Sequence, residues 1–444
     1  MTPLPPGPST PAIVQGVQFA FWPDRYFTEC ERRYGDPFTL RMPVGVPFVL
    51  FSAPAAVKEI FVGDEEDLRG GEANEVLRPL IGPLSILFLD GAPHERARRL
   101  MMPPFHGERL LAYGSLMREI VDAAIDRWPV GRPFPIQAEM QAVTLDVILR
   151  TVFGVEGVRM VELRDLLRRY LTAAANPTLL WPVFHWDLGG WSPWGRLVRL
   201  RRRIDELLRA EFARRRAPGA PVHDDVLSLL VAARDADGRP MPDDELCDEM
   251  MTLLLAGHET TATALSSTVH RILEHPEVRE RLVEEVRGVL AGGRVAPEHV
   301  QRLDYLDATI KETLRLNPVI PDVGRRLAKP MRIGGVDLPA GVAVAPCIYL
   351  THRRPDVWPD PLRFDPARFL GKRPNPYEFF PFGGGVRRCL GMAFSLFEMK
   401  VVLAEVLSRV ELAAVPGYRV RLVRRSITFA PSEGMPVVVQ RRAA

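Results

Sequence analysis

Phe382-Gly-Gly-Gly-Val-Arg-Arg-Cys-Leu-Gly391 decides how this chain is read. Its three glycines, Gly383 to Gly385, let a backbone turn tightly and come close to a flat group. Arg387 stands two residues before Cys389 and can bind a carboxylate. From Gly391 onward, Met-Ala-Phe-Ser-Leu-Phe-Glu-Met-Lys400 has the periodicity of a helix. Cys389 therefore sits at a helix start, where the dipole and free amides favour thiolate over thiol. A thiolate is the form in which cysteine ligates a metal. An isolated cysteine in a glycine-rich turn reads as a buried structural thiol; the ten-residue constellation argues against that here.

Upstream lies a long helix. It opens near Pro242-Asp243-Asp244-Glu245, with acids in the first turn, and runs toward His275-Pro276. At 1.5 Å per residue it spans roughly 50 Å. Its centre is apolar on nearly every face, so it should cross a core. In that centre sits Ala256-Gly-His-Glu-Thr-Thr261, and charge and hydroxyls there call for a local reason. Thr260 could bond back to a helix carbonyl. With the neighbouring acid Glu259 it could instead relay protons. His258-Glu259 also begins like the zinc motif HExxH, but position 262 is alanine, so the zinc reading fails.

Two further patterns frame these. Glu312-Thr-Leu-Arg315 places an acid and a base three apart on one helix face, where they can pair. His94-Glu-Arg-Ala-Arg98 puts His94 and Arg98 one turn apart on one face. Arg325 and Arg326 follow Pro321-Asp-Val-Gly324.

Taken in this order, the stretches resemble cytochromes P450, over at least Asp90 to Gly391. Phe382, Gly385, Arg387, Cys389 and Gly391 match each fixed position of the family's Phe-x-x-Gly-x-Arg-x-Cys-x-Gly loop. The resemblance implies haem b, iron protoporphyrin IX, with Cys389 as axial ligand to the iron. It implies that Phe382, Gly391, Arg387 and Ala256 border the cofactor. His94, Arg98 and Arg325 would hold the propionates, with Arg326 an alternative to Arg325. Glu259 and Thr260 would be the catalytic proton relay. Glu312 and Arg315 would engage Arg368 of Pro366-Ala-Arg-Phe369, where Ala367 replaces the commoner glutamate. The implied fold is mostly α with small β-sheets, an α+β protein, in a single domain over 1–444 with a proline-rich segment at 1–20.

The implied reaction is monooxygenation, one atom of O2 entering a lipophilic small molecule and the other leaving as water. The chain ends about fifty residues past the loop, and no GxGxxG unit for flavin or nicotinamide is found. A separate ferredoxin or flavodoxin with its NAD(P)H reductase is therefore expected. A peroxygenase driven by hydrogen peroxide is one rival, and the acid–threonine pair counts against it. A haem-binding sensor or carrier is another, and the length leaves little room for an output domain.

The rest of the sequence agrees with this class. Of 444 residues, 47% are apolar and 25% charged, and the net charge is +3. That argues against a dedicated nucleic-acid binder. Cys30, Cys247, Cys347 and Cys389 form no CxxC pair, so neither a disulfide framework nor a zinc site is expected, and the setting reads as reducing and cytoplasmic. No membrane span or signal peptide is expected, and a monotopic contact with a bilayer stays open.

Helix periodicity fills the middle from about Pro93 to Leu316. Strand-like runs stand at Pro37 to Arg41, Pro47 to Ser52, Met331 to Leu338, Val342 to Ala345, Tyr418 to Val423 and Pro436 to Val439. The arginine-dense run Arg196 to Arg216 reads as a solvated helix face with Leu197, Leu200, Ile204, Leu207 and Leu208 inward, rather than as a patch for an anionic partner.

By the resemblance, Pro83 to Leu89, Leu171 to Trp194, Leu253 to Ala256, Val319 to Val323 and Ser426 to Phe429 line the substrate pocket. They are largely apolar, with Trp181, Trp186, Trp191 and Trp194 in one of them. A fatty acid, terpenoid or steroid-like substrate is expected. The run Leu100 to Arg109 resembles bacterial members linked to fatty acids and terpenoids.

Overall fold

The computed structural model describes residues 3–43, 45–154, 161–176, 179, 185–221, 223–425 and 427–442. Helices dominate. The first stretch holds α1 (Ala12–Phe21), α2 (Pro23–Tyr34), α3 (Pro54–Val62), α4 (Gly70–Ala73) and α5 (Arg78–Ile81). Next come α6 (Gly91–Met101), α7 (Glu108–Ile125), α8 (Ile136–Thr151), α9 (Val161–Ala174), α10 (Pro193–Arg216) and α11 (Val226–Ala232). The last are α12 (Asp243–Glu274), α13 (Pro276–Leu290), α14 (Asp304–Leu316), α15 (Ile348–Thr351) and α16 (Met392–Arg409).

The strands are short. β1 (Phe38–Leu40), β2 (Phe48–Phe51), β3 (Leu68–Arg69) and β4 (Pro133–Pro135) precede α12. β5 (Arg325–Leu327), β6 (Met331–Ile333), β7 (Val336–Leu338) and β8 (Ala343–Pro346) follow α14. β9 (Val410–Ala414), β10 (Leu422–Arg425), β11 (Thr428–Pro431) and β12 (Pro436–Arg442) follow α16. The mostly helical α+β class is what the segregation of periodicities predicts.

The chain forms two compact units. The first comprises Met1–Ala73, His106–Val143 and Glu259–Ala444; the second comprises Asn74–Phe105 and Thr144–His258. The chain passes from one to the other within α8 and within α12.

In the first unit a five-stranded sheet runs β1-β2-β8-β5-β3. β2 and β8 are parallel, with Phe48 opposite Ala343; the other pairs are antiparallel. Its residues form an apolar core with α3: Val49, Phe51, Ile60, Leu68, Val344 and their neighbours. A three-stranded sheet, β4-β12-β9, and two hairpins, β6–β7 and β10–β11, complete the β structure of this unit. The run Met331–Leu338 is read as one strand from sequence and folds as two. Gly334 and Gly335, with φ of 55° and 79°, turn the chain between them. The run Tyr418–Val423 becomes strand only at Leu422.

In the second unit α10 packs on α9. The arginine run is a helix face, as expected, but several of its cations are paired rather than merely solvated. Arg203 meets Glu162, Arg209 meets Asp244, Arg214 meets Glu211, Arg215 meets Asp225, and Arg216 meets Asp243. Leu197, Ile204 and Leu208 are buried, while Leu200 and Leu207 are only partly so.

Candidate functional site: the cysteine loop and the centre of α12

The cysteine loop belongs to the first unit. The Cys389 amide donates to the Phe382 carbonyl at 2.9 Å, which closes the loop on itself. Gly384 and Gly385 press against α3. A Cβ on Gly384 would lie 2.3 Å from the Phe61 ring, and one on Gly385 2.2 Å from the Phe61 carbonyl oxygen. Gly385 also has φ +66°, so glycine is required there on two counts. A short 3₁₀ turn, Gly385–Arg387, then leads to Cys389, and α16 begins three residues later. Cys389 is exposed, whereas Cys30, Cys247 and Cys347 are buried. Burial pushes the Cys30 thiol up to about 11 and the Cys247 thiol to about 12. Those two are poor thiolates.

Arg387 is anchored within the same unit. Its Nε donates to Glu65 Oε1 at 2.6 Å, and both side chains are largely buried. Its aliphatic stem lies over Gly70, where a Cβ would come within 2.5 Å of Cδ. Arg325 opens β5 and is 9% exposed; its Nη1 donates to the Gly324 carbonyl at 2.8 Å. Arg326 points away from it in the pleat and faces Glu72 at 3.5 Å.

A second cluster stiffens this side of the unit. Arg315 and Glu312 are fully buried on α14 and pair through two bonds, 2.7 and 2.8 Å. Arg315 also donates to the carbonyls of His352, Pro361 and Arg363. Glu312 accepts from the Asp365 amide at 2.8 Å, and Arg368 Nε lies 3.4 Å from it. The ion pair with Arg368 is electrostatic, without hydrogen-bond geometry, since that Nε meets no acceptor squarely.

From Glu259 onward α12 also lies in the first unit. Glu259 is half-buried and accepts from Gln141 Nε2 of α8 at 2.8 Å. Thr261 Oγ1 meets Ser395 Oγ of α16 at 3.1 Å, which ties this turn of α12 to the helix that follows the cysteine. One turn beyond Ser395, Glu398 is buried with both carboxyl oxygens unpartnered among the described residues, and burial holds it well above the usual carboxylate range. Neither Gln141 nor Ser395 carries a motif, and only the fold brings them here.

The second unit holds His94, Arg98 and Ala256. His94 is buried on α6, with Arg98 one turn later. Ala256 is exposed in the middle of α12, although Thr252, one turn earlier, is buried. His258 beside it is buried, and burial lowers its imidazole to about 4, so it stays neutral. The stretch Pro83 to Leu89 is pinned to α12 at three places. The Leu84 amide donates to Asp248, the Ile86 amide to Glu249 at 2.7 Å, and Thr252 Oγ1 to Ser85 Oγ at 2.7 Å. The four tryptophans do not form one pocket wall. Trp186 and Trp191 are 67% and 93% exposed, Trp194 stacks on His185, and Trp181 lies outside the described residues, as does Ser426.

Comparison with known proteins meets the same site from another direction. Residues 4–435 match the family model described as Cytochrome P450. Cytochrome P450 135B1, so named in Mycobacterium tuberculosis, is 42% identical over 449 residues, covering 98% of this chain and 91% of the relative. Cytochrome P450 135A1 of the same organism is 37% identical, covering 99% and 96%. The retinoic acid-bound cyanobacterial CYP120A1 structure superposes with a TM-score of 0.86 at 26% identity, over the whole of both chains. The cytochrome P450DA heme domain does so with a TM-score of 0.84, also at 26% identity, over 100% of this chain and 98% of that one.

Proposed function

Since the chain belongs to the cytochrome P450 family, whose cofactor is haem b, we propose that it is a monooxygenase of lipophilic small molecules, with Cys389 as the ligand to the haem iron. One observation carries this reading. The exposed cysteine of the four sits on a glycine-built loop at the start of α16. The residues present fit the group: a thiol donor at a helix start, glycines that admit close approach, and the buried cation Arg325 within the same unit.

Haem b, when bound, supplies the redox iron, and a thiolate ligand favours O–O cleavage. The chain's own residues do the rest. Arg325, His94 and Arg98 hold the propionates by charge-assisted hydrogen bonds. Arg387, fixed by Glu65, holds the loop to the segment before α4. Phe382, Gly391 and Ala256 give the macrocycle apolar, small contacts. Gln141 orients Glu259, and Thr261 is engaged with Ser395, so Glu259 and Thr260 are the pair that holds and moves protons for the reaction.

The lipophilic substrate class is supported by the largely apolar composition of Val319 to Val323 and of Leu253 to Ala256. A structural neighbour that holds retinoic acid, an apolar chain ending in a carboxylate, supports it. Electrons come from a separate ferredoxin or flavodoxin and its NAD(P)H reductase.

The test is turnover with surrogate ferredoxin and reductase under isotopically labelled dioxygen, over a panel of fatty acids, terpenoids and steroids. One labelled oxygen atom in the product is expected. NADPH consumption without labelled product across the panel, in a protein with a thiolate spectrum, would reject the substrate class. A protein that shows no thiolate spectrum would reject the reading itself.

A further inference from the structure

We propose that the outward face of α1, together with the arginine-bearing edge beside it, binds the surface of an anionic lipid bilayer. The helix is AIVQGVQFAF, ten residues without a charged side chain. It is mounted the wrong way round for a soluble surface. Its buried residues are Gln15 and Phe19, while Ile13 is 71%, Val17 45% and Phe21 56% exposed. These three stand at i, i+4 and i+8, one stripe along the helix. Val14 flanks the stripe, and Trp22 follows it, also exposed. Single exposed apolar residues need no explanation, but a contiguous stripe does.

The orientation is enforced. Gln15 donates from Nε2 to the carbonyls of Pro8 and Thr10, and its Oε1 accepts from the Arg41 amide and the Tyr26 hydroxyl. Phe19 packs edge-on against Phe27 in the core, at 5.1 Å. Turning the apolar face inward would break those four bonds and remove Phe19 from its cluster.

Charge identifies the occupant. β10 packs against α1, and the Arg424 guanidinium lies 4.0 Å from the centre of the Phe19 ring. The sequence there is Arg419-Val-Arg-Leu-Val-Arg-Arg425, with no acid between Glu411 and Glu433. Arg419 and Arg421 are exposed and pair with no carboxylate among the described residues. A second copy docking face to face would bring these arginines against their equivalents across a two-fold axis. An anionic lipid surface neutralises them while the stripe and Trp22 enter the interfacial layer. No helix among the described residues is long and apolar enough to cross a membrane, so the contact is interfacial.

The haem-loaded full chain should sediment with phosphatidylcholine vesicles that contain phosphatidylglycerol and not with phosphatidylcholine alone. Brominated lipid should quench an emission component that Trp22→Phe lacks. Ile13→Ser/Val17→Ser/Phe21→Ser should lower partitioning by more than about tenfold. Arg419→Gln/Arg421→Gln should lower it by about fivefold per arginine. Both variants should keep the wild-type haem spectrum, because the altered side chains are exposed. No sedimentation with the anionic vesicles overturns the proposal. So does sedimentation that survives the arginine pair unchanged, or a wild-type dimer in light scattering that the triple variant abolishes.

Discussion

The Glu312–Arg315 cluster and the Glu259–Thr261 turn each place a glutamate on a helix of the same unit, yet they are built in opposite ways. Arg315 spends its guanidinium on Glu312 and three carbonyls, and Glu312 receives an amide as well. Glu259 accepts a hydrogen bond from Gln141 and is only half-buried. A buried network with its members paired specifies a fold. A helix turn with an acid held by one side chain at the edge of burial suits the proton relay proposed for Glu259 and Thr260. The exposed Cys389 sides with the second group and the buried thiols with the first. The comparison therefore divides residues into those whose loss should cost the fold and those whose loss should cost only the reaction.

Arg315→Ala tests the first class. It leaves the Glu312 carboxylate buried without its hydrogen-bonded cation, with only the looser Arg368 contact, a loss of about 3–5 kcal/mol. That is a large share of a stability of about 5–15 kcal/mol. Little folded, haem-loaded protein is expected, read from expression yield and the denaturant midpoint. A variant with the wild-type midpoint would break the division at its strongest point. Cys389→Ser tests the second class. The fold should persist by circular dichroism, while the reduced carbon-monoxide difference spectrum loses its long-wavelength thiolate band. An unchanged band removes Cys389 from the iron.

Thr260→Ala should be milder still. Haem content and iron reduction stay near wild type, but electrons drain to free hydrogen peroxide and product per NADPH falls steeply. Supplied hydrogen peroxide, which brings its own protons, restores turnover. If Thr260 only capped a helix carbonyl, coupling would be unchanged and stability would fall slightly. NADPH, peroxide and product measured in one assay separate the two. Arg325→Ala sits between the classes. In the proposed propionate role, its loss costs about 1.5–3 kcal/mol of haem binding and should accelerate haem loss to an acceptor protein without altering coupling in the loaded fraction.

Local chemistry was legible in the sequence, and long-range partnership was not. The helix start three residues after Cys389, the bounds of α12 between Pro242 and His275, and the pairing of Glu312 with Arg315 all depend on neighbours within a few residues. The Glu65 carboxylate that holds Arg387 is 322 positions away, and Gln141 is 118 from Glu259. No periodicity encodes such pairs. The tryptophans misled for a related reason. Apolar composition predicts burial only on average, and Trp186 and Trp191 are exposed. The arginines of α10 read as a solvated face because the acids that neutralise them, such as Glu162 and Asp244, come from other helices.

The same sorting applies to the cations that could meet an electron donor, and here the expected effect is smallest. Arg98, Arg99, Lys372, Arg373, Arg387 and Arg388 are the candidate cations for docking an electron donor. Arg387 is bound to Glu65 and Arg99 to Glu95, and Arg98 is assigned to a propionate. Arg388 is exposed, with Nη2 3.0 Å from the Met392 sulfur, and Lys372 and Arg373 are exposed without a carboxylate partner among the described residues. Unpaired surface cations speed association with an acidic partner and are screened by salt. Lys372→Gln/Arg373→Gln should therefore slow second-order reduction by an acidic ferredoxin on the order of fivefold at low ionic strength. The gap should close as salt is raised, with turnover at saturating donor unchanged. Arg99→Gln, which removes a cation already neutralised by Glu95, should do less. Equal salt dependence in the wild type and the Lys372/Arg373 variant would place the donor elsewhere. A larger effect from Arg99→Gln would show that pairing within the protein does not decide which cations a partner can use.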